Sequence, residues 1–582
     1  MAARRARDGI GERTQQQRRD GDAETMVQFK QYVKEMQKSR GRAVEMRIAV
    51  LLSIVVALKF FSVSPMDLDT AVLHRVFFFL LIAILIILFT TWLDYFPSKI
   101  ETFEMRPAGG QGLPLACLLP PMTCIALLSH IINHQPALIQ LVSLYLVLCC
   151  TISIATVLPT LLNSAPYPNS IIIYNLLLII IVFVISNVLQ VPSLPLFLHC
   201  TLYSVFVPFL LYSFPKSFTL CEVSLLCQGV SLLVVDTTLL MLIKFDLYEL
   251  PDVFSVERST SFLFLEFGVT GFILCCFLFS FFLYKLACTN ESFYIHAWSL
   301  GFLQVSFLFA FFVVLPSLGL VMDSSPFPWL IDFLFSSQER TLLLCYWMCV
   351  VFLTSVIVVA QSVHIPSLSC LKSESPSSLW MRKWFHLLAV AVYVPGLMFD
   401  PLLLSVSSSL VTVFFIVIEL IRLFGIWPLG DAINKMLIPF TDERDTGYLI
   451  LTHTYLLLGF SIPIWLYPLH QTNSVSQLSM YSGVLALGVG DSIAAVSGTL
   501  VGRHKWPGTS KTFEGTFMSV VCQFIVAAGV VYTSSSVPPL SHYSWTVLGS
   551  SILVGSAMEA YTHQIDNLLL GIVQYVVCIA FL

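Results

Sequence analysis

The chain has 582 residues, of which 57% are hydrophobic and only 11% charged, with 46 Phe among them. An apolar excess on that scale excludes a water-soluble globular protein, because such a surface needs lipid as part of its solvent. The formal net charge of −4 singles out no class of partner, and no nucleic acid is expected.

Residues 1–45 read as a variable, disordered or partly helical tail. They lack the apolar core of a cleaved signal peptide and are too acidic for a transit peptide. Their basic excess, running on to Arg47 before the first apolar run, favours the cytosolic side. Residues 46–365 carry one apolar stretch after another, such as "VFFFLLIAILIILFTTWL" at 76–93 and "SIIIYNLLLIIIVFVISNVLQ" at 170–190. Each is continuously apolar, as a spanning helix of roughly 20 residues must be, whereas a barrel strand alternates. The fold class is therefore an all-α polytopic integral membrane protein with about 14–17 transmembrane helices. This half has few ionisable groups and no motif, and reads as a multi-span scaffold. The cysteines fall mostly within apolar runs, without metal-ligand spacing, and read as small buried hydrophobes.

A Ser/Pro-rich connection at 366–380 separates this scaffold from residues 381–582, where polar groups gather at the ends of apolar runs. Ionisable residues in or beside membrane spans are costly and are functional candidates by default. First comes "RKWFH", with Arg382, Lys383 and His386 on neighbouring helical turns. They suit phosphate contacts, though an interfacial anchor of snorkelling cations and Trp accounts for them somewhat better. "TDERDTG" follows, in which Asp445 and its acidic neighbours suit a metal or a hydroxyl-activating base. The alternative is a helix N-terminus where acidic groups favour the dipole.

Next stands "GVGDS", which places Asp491 after two glycines in an otherwise apolar run. A carboxylate there costs about 2–3 kcal/mol without a partner. A divalent cation bridging nucleotide phosphates is one such partner, and a bond to a neighbouring helix is another. Then "GRHKWPGTSKTFEGT", residues 502–516, interrupts the apolar pattern with glycines, cations and hydroxyls. Gly502 and Gly508 let backbone N–H groups approach an anion, Lys505 and Lys511 supply charge, and Thr509, Ser510 and Thr512 supply hydroxyls. The spacing is not that of a Walker A loop. A positive-inside loop would account for the cations, though not for Glu514 or the Gly/Thr density. Near the last run, "EAYTHQIDN" at 559–567 reads as a hydrogen-bonding cluster and only weakly as a catalytic one.

Taken together, "RKWFHLLAVAVYVPGLMFDPLLL", "DERDTGYLILTHTYLLLGFSIPIWL", "GVLALGVGDSIAAVSGTLVGRHKWPGTSKTFEGT" and "MEAYTHQIDNLLL" resemble the dolichol kinases of the polyprenol kinase family. The resemblance covers roughly residues 380–582, with long, ordered motifs. It implies a CTP-dependent enzyme of the endoplasmic reticulum membrane that converts dolichol to dolichyl phosphate, the lipid carrier for protein N-glycosylation. It also implies a CTP-binding loop facing the cytosol, from Thr499 to Glu514, carried here by Gly502, Lys505, Trp506, Pro507, Gly508, Thr509, Lys511, Thr512 and Glu514. The expected partners are dolichol, CTP and the bilayer. Asp491 as ligand of a divalent cation, Mg2+, and Asp445 as the group orienting the dolichol hydroxyl are inferences from the residues. A membrane cytidylyltransferase and a lipid transporter remain the competing classes.

Overall fold

The computed structural model describes residues 43–65, 68–95, 104–106, 112–132, 136–162, 169–247, 258–364, 376–437, 445, 447–468, 475–534, 537–562 and 564–582. Within them the chain is helical, and no strand occurs beyond one isolated antiparallel bridge, Lys505 to Thr512.

The helices are α1 (Ala43–Val63), α2 (Thr70–Tyr95), α3 (Leu113–Ile131), α4 (Pro136–Leu162), α5 (Asn169–Leu189), α6 (Ser193–Ser213), α7 (Leu220–Lys244) and α8 (Thr260–Leu278). There follow α9 (Ser280–Cys288), α10 (Ser292–Phe309), α11 (Leu315–Met322), α12 (Pro326–Leu334), α13 (Gln338–His364), α14 (Pro376–Phe399), α15 (Pro401–Leu423) and α16 (Gly430–Leu437). The C-terminal group is α17 (Thr452–Leu466), α18 (Ser492–Val501), α19 (Phe513–Thr533), α20 (His542–Tyr561) and α21 (Asp566–Phe581). A π-helical segment, Val484–Asp491, runs directly into α18. Twelve helices of the described residues are long and apolar enough to cross a bilayer, and three shorter ones, Leu176–Leu189, Lys383–Phe399 and Asp566–Phe581, are also apolar. The all-α polytopic class holds, with twelve candidate spans among the described residues.

In lipid, apolar side chains gain little by leaving the membrane for a helix interface, so close backbone approach takes over. The C-terminal bundle depends on it. A Cβ on Gly459 of α17 would lie 2.0 Å from the Asn567 carbonyl oxygen, and one on Gly571 of α21 would lie 2.4 Å from the Gly459 oxygen and 3.3 Å from Gly483 Cα. Glycine at these three positions lets α17, α21 and the turn entering the π-helix touch through main chain. Helix α21 sits at the centre, buried at every position except Ile572 and Phe581. Around it stand α3, α17, α20 and the π-helix. At the periphery the run Ser292–Met322 is only 6% buried, as a helix facing lipid on most sides must be.

The scaffold half holds charges that periodicity does not flag. Arg258 binds Asp236 through Nε at 2.8 Å and a second nitrogen at 3.0 Å, and Arg106 pairs with Glu222; all four residues but Arg258 are under a tenth exposed as whole residues. Each cation neutralises a carboxylate that would otherwise be costly at that depth.

Candidate functional site

A hairpin over residues 502–513 forms the roof. Trp506 N–H donates to the Lys511 carbonyl at 3.0 Å, Phe513 N–H to the His504 carbonyl at 2.8 Å, and Thr509 N–H to the Trp506 carbonyl at 3.2 Å. The last bond closes a turn with Pro507 and Gly508 at its centre, and Gly508 has φ 90°; proline followed by a glycine at positive φ is what a type II turn requires. Thr512 caps α19 by accepting from Gly515 N–H at 3.2 Å. Glu514 accepts from the backbone N–H groups of Arg503 and His504, each at 3.2 Å, and from His504 Nδ1 at 2.6 Å. Trp506 donates from Nε1 to Thr516 Oγ1 at 3.0 Å, with its ring centroid 5.1 Å from Phe513 and 5.7 Å from Tyr561.

Several residues expected to touch a nucleotide thus have structural work in the hairpin itself: Trp506, Pro507, Gly508, Thr512 and Glu514 set its shape. Gly502, directly after α18, lets Thr512 come close, since a Cβ there would lie 2.7 Å from Thr512 Cγ2. Lys505 and Ser510 are exposed, and Thr509 receives Lys511 N–H at 3.2 Å. Thr499 is exposed on α18 and turns its hydroxyl to the Val496 carbonyl at 2.8 Å.

Beneath the hairpin lies an ionic cluster. The ammonium of Lys511 pairs with Glu559 and stands 3.6 Å from Asp566 Oδ2. Burial works against its charge, but the carboxylates of Asp566, Glu559 and Asp491 outweigh that and hold it above the usual lysine range. Asp491, 7% exposed at the end of the π-helix, receives Lys383 Nζ at 2.5 Å and has His386 Nε2 3.2 Å away. Lys383 and His386, expected as phosphate contacts, therefore reach Asp491 from α14. Charge alternates through the cluster, so a displaced cation or an arriving anion always finds a complement nearby.

Asp445 is placed differently. It accepts from Leu451 N–H at 3.3 Å and Thr452 Oγ1 at 2.8 Å, bracing the start of α17. His453, on that helix, packs its ring edge-on to Phe385 at 4.8 Å and feels the charges of Asp445 and His386. Asp442, Glu443, Arg444, His563 and the side chain of Arg382 lie outside the described residues.

Two groups were missed by reading motifs alone. Glu559 and Asp566, taken as weak candidates, are the carboxylates that hold Lys511. Arg106 and Glu222 meet the same polar layer from the other half of the chain, because Thr219, the N-cap of α7, donates to Gln564 Oε1 at 3.0 Å. Their only signal was the general one, charge beside a span.

For a divalent cation, the donor set is informative. Asp491, Glu559 and Asp566 sense one another through Lys511, yet among the described residues no group of three His, Cys, Asp or Glu side chains forms a metal cage. Magnesium bound mainly by substrate phosphates needs only one or two protein carboxylates. Asp491, already paired with Lys383 and close to His386, leaves at most a single carboxylate to offer such an ion.

The fold and this cluster define a polytopic membrane protein that brings cations, buried carboxylates and a glycine-turned hairpin together. The family model described as "Dolichol kinase" matches residues 140–457. The chain is 38% identical to the dolichol kinase of Homo sapiens over 415 residues, 70% of this chain and 74% of the relative. To a dolichol kinase of Arabidopsis thaliana it is 32% identical over 276 residues, 47% of this chain and 46% of that protein, and to the dolichol kinase of Saccharomyces cerevisiae 30% identical over 247 residues, 42% and 43%. The chain belongs to the dolichol kinase family. No solved structure matches it. The family match begins well inside the region that carried no motif and ends at α17.

Proposed function

We propose that this protein transfers the γ-phosphate of CTP to the terminal hydroxyl of dolichol, giving dolichyl phosphate and CDP. The observation that carries the reading is the Lys383, His386, Asp491, Lys511, Glu559 and Asp566 cluster beneath the 502–513 hairpin, in a chain whose relatives are dolichol kinases. A soluble nucleotide needs a polar shelf, and its acceptor alcohol cannot leave the bilayer. The cluster serves both.

The hydroxyl oxygen forms a bond to the γ-phosphorus as the bond from that phosphorus to the β,γ-bridging oxygen breaks. CDP leaves with that oxygen, and the hydroxyl proton passes to a base or to water. Lys505, Lys511, Ser510 and the N–H groups of the turn bind the triphosphate, with Arg382, Lys383 and His386 contacting phosphate from α14. Thr499, Gly502, Trp506, Pro507, Gly508, Thr509, Thr512 and Glu514 complete or shape the CTP site. A divalent cation, Mg2+, would be held by Asp491 and would neutralise charge on the phosphates. Asp445, beside His453, orients the alcohol.

The domain division follows: a tail at 1–45, a membrane mount at 46–365, a connection at 366–380 and the catalytic region at 381–582. The protein resides in the endoplasmic reticulum membrane with the hairpin toward the cytosol, as the family resemblance implies, and the basic residues around Arg47 favour the cytosolic side for the N-terminal tail. The test is turnover of purified, reconstituted protein with dolichol, Mg2+ and CTP labelled on the γ-phosphate, with ATP in parallel. Label in dolichyl phosphate with CDP released supports the reading. Pyrophosphate and a CDP-lipid would indicate a cytidylyltransferase, and no transfer by folded protein would leave a non-enzymatic role.

A further inference from the structure

Glu559 and Asp566 flank a short turn between α20 and α21, and that turn is tied to the N-terminal half of the chain by a buried set of bonds. Thr219 and Gln564, separated by 345 residues in sequence, meet at 3.0 Å, the threonine hydroxyl donating to Gln564 Oε1. Thr219 is fixed in turn by a reciprocal cap: its N–H donates to Glu222 Oε2 at 3.1 Å and its hydroxyl accepts from Glu222 N–H at 3.3 Å. The other oxygen of Glu222 pairs with the Arg106 guanidinium. Arg106 anchors itself through its backbone N–H, which donates to the Phe218 carbonyl at 2.8 Å.

The turn is seated closely. At Gly112, with φ 65°, a Cβ would lie 2.6 Å from Gln564 Cδ and 2.7 Å from Cys221 Cβ, so the start of α3 also rests on this glutamine. Thr219, Glu222 and Gln564 are each 1% exposed. No bulk water can substitute for a lost bond here, which makes the geometry rigid and any unpaired group costly. Gln564 stands two residues before Asp566 and five after Glu559. A shift of the turn therefore moves both carboxylates that hold the Lys511 ammonium.

We propose that Arg106, Glu222, Thr219 and Gln564 are positioning residues of the nucleotide site: they lock the α20–α21 turn so that Glu559 and Asp566 present Lys511 to the phosphates of CTP. This rests on the kinase reading above. It gives the N-terminal half a part in nucleotide binding, although none of its described residues bonds to the hairpin lysines. Neither Gln564 nor Thr219 takes part in bond making. Their effect is confined to where Lys511 stands, so it is read in the KM for CTP and not in that for dolichol.

The experiment is steady-state kinetics of the full-length protein in nanodiscs, varying CTP at saturating dolichol and dolichol at saturating CTP. Gln564→Leu and Thr219→Val each remove the bond, and the KM for CTP is expected to rise about ten-fold in either, the scale of one buried hydrogen bond. The double variant should lose less than the sum of the two single losses, because both changes delete the Thr219–Gln564 bond, while Thr219→Val also removes the acceptor of Glu222 N–H. Thr219→Ser keeps the hydroxyl donor and should retain a near wild-type KM for CTP, while the KM for dolichol stays constant throughout. An unchanged KM for CTP in folded Gln564→Leu or Thr219→Val overturns the proposal, as does an equal loss for both substrates. Should both apolar variants fail to fold, Gln564→Asn, which draws the amide back by one methylene, gives the same reading. Wild-type protein without CTP turnover overturns the kinase reading itself; active wild-type with unaffected variants overturns only the positioning role.

Discussion

Lys383 reaches across from α14 to place its ammonium 2.5 Å from Asp491 Oδ2, joining residues 108 apart in sequence at the floor of the site. The pair settles why a carboxylate is tolerated inside an apolar run. Removing one member of a buried pair strands the other charge, a loss of about 3–5 kcal/mol. Asp491→Ala and Asp491→Asn each leave the Lys383 ammonium without its counter-charge and should both lower the thermal midpoint of the purified protein, Asp491→Asn by less because its amide oxygen still accepts from Lys383. For turnover, Asp491→Asn should fall by about 100-fold if the carboxylate holds the cation on the phosphates. Wild-type rates across a magnesium titration would remove Asp491 from that role.

The two lysines of the hairpin should behave differently. Lys505 is exposed, so Lys505→Ala should raise the KM for CTP by about three- to ten-fold, increasingly so at low ionic strength, and leave stability untouched. Lys511→Ala leaves Glu559 and Asp566 facing each other without their cation. Loss of both stability and turnover is expected, measured by melting and label transfer on the same preparation. Normal CTP kinetics in both variants would end the phosphate-cradle assignment.

Gly571 offers a test of the bundle rather than the chemistry. An alanine there would meet the Gly459 carbonyl oxygen at 2.4 Å, and main chain cannot swing aside as a side chain can. Overpacking of this kind costs about 1–3 kcal/mol. Gly571→Ala should melt earlier and lose activity in proportion to the fraction unfolded; an unchanged midpoint would show that α17 and α21 separate freely.

Trp506 donates to Thr516 and packs between Phe513 and Tyr561. Trp506→Phe keeps the ring contacts and loses one hydrogen bond, about 1 kcal/mol. Trp506→Ala loses both. CTP binding measured by equilibrium dialysis should weaken several-fold in the first and substantially more in the second. Equal affinities for wild type and Trp506→Ala would mean that the hairpin keeps its shape without the indole.

The spanning helices were legible because a bilayer demands long apolar runs of any sequence that crosses it, whereas the turn at Pro507 and Gly508 is a finding of the structure, the sequence pointing there to glycines that admit an anion. What pairs with what was not legible either. Lys511 finds Glu559 48 residues away, and no spacing rule links them; packing of α19, α20 and α21 does. Asp445 looked like a base because acidic residues at a span end suit that task, and its bonds to Leu451 and Thr452 show the helix-bracing alternative also in force. Arg106 and Glu222 escaped notice as solitary charges among apolar neighbours, visible as partners only once α7 and the turn before α21 were side by side. The π-helical widening at Val484–Asp491, which turns Asp491 toward α14, has no apolar period of its own to betray it.

Helix α21 is enclosed on nearly every side by α3, α17, α20 and the π-helix, yet it follows all of them in the chain. During biosynthesis its neighbours enter the membrane before the pillar around which they close. Until it arrives the Gly459 and Gly483 backbone lacks the helix it packs against, and Lys511 lacks Asp566. The ionic cluster beneath the hairpin is thus completed only when the helix that carries Asp566 joins its neighbours.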